Sequence, residues 1–70
     1  MVELCEFGKM VKIRLVEINQ TQTWLEEQVR KDTGLYFDRS YLHKILTGKI
    51  KPEKIVTSIK KILKIEERVG

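Results

Sequence analysis

The stretch Asp38-Arg39-Ser40-Tyr41-Leu42-His43-Lys44-Ile45-Leu46-Thr47-Gly48-Lys49 decides how this chain is read. An aspartate such as Asp38 caps helices, because its carboxylate accepts a free amide of the first turn. Leu42, Ile45 and Leu46 then recur at the spacing of one helical face, and Gly48 closes the segment. The pattern predicts a short helix over 39–47. Phe37 and Leu42 stand at the N′ and N4 positions of a hydrophobic staple, which places Phe37 under that helix.

Upstream, Leu35-Tyr36-Phe37 is apolar but has no partner run with which to form a sheet, so it reads as a loop anchored in the core. Tyr36, whose hydroxyl tolerates water, is the member expected at the surface. Before this loop, Trp24, Leu25, Gln28 and Val29 define a second amphipathic helix over about 22–32, ended by Gly34. Thr21 is a fitting N-cap for it, although Thr23 with Glu26 has capping-box spacing and would start the helix two residues later. Phe7, Val11, Leu15 and Ile18 make a first helix over about 7–18, and Asn19 tolerates the left-handed backbone that ends helices. Downstream, Pro52 suits a first turn and opens a fourth helix over about 53–64, with Ile55, Val56, Ile59, Ile62 and Leu63 as its stripe. The expectation is a single all-α domain over residues 1–70, a small four-helix bundle.

Seventy residues leave little room for a deep catalytic pocket, since so short a chain buries only about 60% of its surface. Glu26 and Glu27 are adjacent and diverge on a helix, so they make no acid–base pair. No Gly-rich phosphate loop is present, and one cysteine (Cys5) with one histidine (His43) cannot build the usual zinc site. No enzyme activity, cofactor, metal or small-molecule substrate is therefore expected. Nor is a membrane partner, because no apolar run approaches 18 residues. The acidic start and the lone cysteine fit a cytoplasmic protein.

Charge is unevenly spread. Residues 39–64 carry eight basic side chains against Glu53 alone, a net +7, while residues 1–38 carry five basic against seven acidic, a net −2. A basic half joined to a mildly acidic one points to a polyanion on one side of the fold.

Two helices joined by a connection, the second short and capped, describe a helix-turn-helix. Arg14-Leu15-Val16-Glu17-Ile18-Asn19-Gln20-Thr21-Gln22, then Leu25, then Asp38 to Lys49, resembles the Cro/C1-type (XRE) helix-turn-helix of phage repressors over roughly residues 7–65. The resemblance implies a lambda-repressor-like bundle acting as a small sequence-specific regulator on double-stranded DNA, of the prophage or mobile-element type. It implies base contacts from Arg39, Ser40 and Lys44, with His43 on the same helix. It implies phosphate contacts from Gln22 and Thr21 at the start of helix two and from Thr47, Lys49 and Lys51 around the turn after helix three. A homodimer is compatible with it, by a contact the resemblance does not specify.

The chain departs from the family pattern in three places. Eight residues, Arg30 to Phe37, stand where family members have about two, so an extended turn is expected. Glu26 occupies the place of a usual small Ala, and Gln20 that of a hydrophobic residue. The usual fifth helix is not expected. Two other readings compete: a protein–protein interaction module, or an excisionase-like recombination-directionality factor on the same fold, with RNA as a further ligand for the basic face. Trp24 and Tyr41 read as core or core edge, and Lys60, Lys61 and Lys64 as solvation of helix four.

Overall fold

In a computed structural model, which describes residues 3–65, the chain forms four helices and, among those residues, no strand: α1 Glu6–Glu17, α2 Gln22–Thr33, α3 Arg39–Leu46 and α4 Glu53–Leu63. The fold is an all-helical four-helix bundle. α3 and α4 each pack against both α1 and α2. Their shared core holds Val11, Leu15, Leu25, Val29, Phe37, Leu42, Ile45, Leu46, Ile55, Ile59, Leu63 and Ile65. Trp24 and Tyr41 pack at its edge.

The helix boundaries follow local chemistry. Thr21 Oγ1 accepts from the Trp24 amide at 3.0 Å, so α2 begins at the earlier of its two starts. Asp38 Oδ1 accepts from the Tyr41 amide at 2.8 Å and caps α3. Asn19 takes the left-handed backbone after α1, and Gly34 does so at φ 69°, where a side chain would be strained. One boundary differs from the expected one: Pro52 is the N-cap of α4 rather than its first-turn residue. The left-handed Lys64 ends the helix close to where it was expected. Cys5 caps α1, its Sγ accepting from the Gly8 amide at 3.4 Å.

The insertion is not a simple long turn. Arg30 to Thr33 add a further turn to α2, and only residues 34–38 connect it to α3. That connector is held from both ends: Arg30 Nη1 donates to the Phe37 carbonyl at 2.6 Å, and the Leu35 amide donates to Thr33 Oγ1 at 3.1 Å. Phe37 is fully buried and its ring centroid lies 5.4 Å from that of Tyr41. Leu35 and Tyr36 stay exposed. Tyr36 has a second role that its exposure hides, because its hydroxyl donates to Asp38 Oδ2 at 2.5 Å and steadies the cap of α3. This bond holds the Asp38 carboxyl below, and the Tyr36 phenol above, their ordinary values. Truncating Tyr36 therefore touches the helix cap as well as the surface.

α2 is tied to α4 by polar bonds. Asp32 accepts from the Lys61 ammonium at 2.5 Å and from the buried Ser58 hydroxyl at 2.7 Å. These two bonds, the Lys61 one foremost, lower the Asp32 carboxyl below the usual aspartate range. A carboxyl lowered on folding stabilises the fold above its unfolded value, near 4, and that contribution is lost as pH falls through the folded value. Asp32→Asn should thus lower the urea midpoint at pH 7, and the difference from the unsubstituted chain should narrow at pH 3. A gap that is constant with pH would contradict the assignment.

Candidate functional site

The N-termini of α2 and α3 and the turn after α3 open on one shallow groove of about 410 Å³, lined by Gln22, Arg39, Ser40, His43, Lys44 and Lys49. Six of the nine residues expected at the site from sequence therefore come together. No acid stands among the lining residues, and three of them are cationic at neutral pH. The N-terminus of α2 adds partial positive charge, because its first amides have no partner within the helix. At α3 that charge is met by the Asp38 carboxylate that caps it. Gln22 and Arg39 occupy the first position of their helices.

The other three expected residues are placed differently. Thr21 stands beside Gln22, but its hydroxyl is taken by the Trp24 amide. The Thr47 hydroxyl is turned back onto its own helix, donating toward the His43 and Lys44 carbonyls at 3.0 and 3.3 Å. The Thr47 amide is engaged as well, donating to the His43 carbonyl at 3.0 Å. Lys51 lines a separate hollow with Cys5, Phe7, Ile45, Glu53, Val56, Thr57 and Lys60. It does not share the groove of Lys44 and Lys49.

Two cations of α4 are engaged elsewhere. Lys61 is bound to Asp32, and the Lys60 ammonium lies 5.9 Å from the centre of the Phe7 ring. Their charge serves contacts between elements.

Two residues not singled out for the site hold one of its side chains, Arg39. Arg39 donates from Nε to Glu26 Oε2 at 2.5 Å and from Nη2 to Thr23 Oγ1 at 2.7 Å. Glu26 is buried although it is charged. The signal was present in the sequence as the Thr23–Glu26 spacing, which puts both side chains on one face of α2. Its partner is Arg39 of α3 and not the amides of the first turn.

Among the described residues no group of His, Cys, Asp and Glu side chains is placed to hold a metal ion, and no helix is long and apolar enough to cross a membrane. Compared with known proteins, the chain matches no family model, no curated protein and no solved structure. The class that fold and site define is a four-helix all-α domain with an open cationic groove at two helix N-termini.

Proposed function

We propose that this protein binds double-stranded DNA with sequence preference, as a small transcriptional regulator of the Cro/C1 helix-turn-helix type, with α3 in the major groove. The observation that carries the reading is the acid-free groove in which Gln22, Arg39, Ser40, His43, Lys44 and Lys49 converge. A short capped helix with exposed cations on its outer face is the element that enters a major groove. Gln22, at the N-terminus of α2, and Lys49, after α3, flank that helix and suit phosphates, which set register. Lys44, Ser40 and His43 lie between them, where base edges would be, together with Arg39. Two copies on a two-fold site would double the contacts, and a homodimer belongs to this proposal.

Binding to a duplex selected from a random library, titrated with salt, tests it. Each phosphate neutralised contributes about −0.9 to the slope of log K against log salt. Lys49→Ala should flatten that slope by about 0.9 and weaken all duplexes alike. Lys44→Ala should instead relax preference at one base pair, by about 1–3 kcal/mol on the selected site. A salt-independent association, or none at low salt, would remove the DNA reading.

One observation favours a second reading, a protein–protein module. Leu35 and Tyr36 in the α2–α3 connector and Ile13 and Val16 on α1 are exposed apolar side chains. Such a module would bind its partner with little dependence on salt.

A further inference from the structure

Glu26 breaks a local rule. It is a carboxylate on the core side of α2, its side chain 10% exposed. Removing a charge from water is unfavourable, and a partly buried ion pair adds little or nothing to stability compared with apolar packing. Its partner is not buried with it, since the Arg39 side chain is 58% exposed and lines the groove. The pair therefore joins an immobile acid to a cation that faces solvent.

The geometry of the guanidinium gives this arrangement a use. Its Nε–Nη2 edge is occupied, Nε by Glu26 and Nη2 by Thr23, whereas Nη1 makes no hydrogen bond among the described residues. Arginine carries five N–H donors in a rigid plane, so fixing one edge fixes the direction of the other. The Nη1–Nη2 end remains as a two-donor fork, matched to the paired O6 and N7 acceptors of guanine. A free arginine side chain loses rotamer entropy when it is ordered, and one already held at an edge loses less.

We propose that Glu26 and Thr23 are positioning residues that hold Arg39 by its Nε–Nη2 edge, so that its Nη1–Nη2 end reads a guanine. The proposal rests on the DNA reading above and deepens it: it names the base, and it assigns a role to two side chains of α2 that do not touch DNA. Arg39 supplies the guanine preference, and Glu26 sharpens it only through Arg39.

The test measures the ratio of affinities for the selected duplex and for the same duplex with one guanine replaced by adenine, scanned over each guanine. Arg39→Lys keeps the charge but loses the fork, and should flatten the ratio at one guanine by about tenfold or more. Glu26→Gln, close in shape, should reduce the ratio at that same guanine by about fivefold, an intermediate loss. Thr23→Val should act at the same base pair in the same direction, and serves if Glu26→Gln does not fold. In the Arg39→Lys background, Glu26→Gln should change the ratio no further. A merely structural Glu26 would weaken every duplex alike, and its effect would add to that of Arg39→Lys. That outcome overturns the proposal, as does a guanine preference that survives both α2 substitutions. If the unsubstituted chain binds no duplex, or binds all equally, the DNA reading fails and the proposal fails with it. Preference that persists in Arg39→Lys overturns this proposal alone.

Discussion

Phe37→Ala should lower the unfolding free energy by about 3–5 kcal/mol, the range for deleting a fully buried phenylalanine from a core that cannot collapse around the gap. Phe37 is completely inaccessible and is the bulkiest of the fully buried side chains. It also presents the ring against which Tyr41 packs, so the cavity would open under the first turn of α3. A domain of this length holds a total stability of roughly 3–10 kcal/mol, and the loss takes a large part of it. The melting temperature should fall by about 15–30 °C. Duplex binding at 37 °C should fall in proportion to the folded fraction and return on cooling, with base preference unchanged. A melting temperature within a few degrees of the unsubstituted protein would show that the connector does not anchor α3.

The second large effect is expected at Gly8, where α1 crosses the end of α3. A Cβ placed there would overlap the Leu46 carbonyl oxygen, with the carbonyl carbon at 2.9 Å and Leu46 Cα at 3.0 Å. The obstacle is backbone, which cannot swing aside as a side-chain tip does. The same carbonyl accepts from the Cys5 amide at 2.9 Å, so moving it breaks a bond that fixes the start of α1. Within a helix, Gly→Ala ordinarily stabilises by about 0.5–1 kcal/mol through the unfolded chain. Overpacking costs about 1–3 kcal/mol or more, and against rigid backbone the upper end applies. Gly8→Ala should therefore destabilise by about 2 kcal/mol net, read as a lower urea midpoint at unchanged slope. A neutral or stabilising result would mean that α1 can slide along α3.

Comparison of these two sites shows what could be read before folding. Phe37 was legible because the staple spacing to Leu42 is local, five residues along one short segment. Gly8 was not, since its partner lies on another helix 38 positions away and a glycine leaves no periodic trace. The same division runs through the groove. Thr21, Asp38, Asn19 and Gly34 declare the helix ends, and the exposed positions of α3 follow from its three- to four-residue apolar repeat, which is why Arg39, Ser40, His43 and Lys44 could be placed on one element. Lys49 and Gln22 joined them because each is covalently close to a helix end that the groove uses.

Other features were decided only by how the helices pack. Lys51 is two residues from Lys49, yet the chain turns between them toward α4 and carries it to the hollow beside Phe7 and Cys5. The acid–hydroxyl pair of α2 looked like a cap, and only the approach of α3 converts it into the seat of Arg39. Lys61, one of a cationic run on α4, is committed to Asp32 across 29 residues of sequence. Helix identity, helix ends and the sign of the charge are set by neighbours along the chain, through capping, periodicity and composition. Which cations remain available to a ligand, and which are held by acids of other helices, is set by distances in space, and those exist only once the bundle has closed.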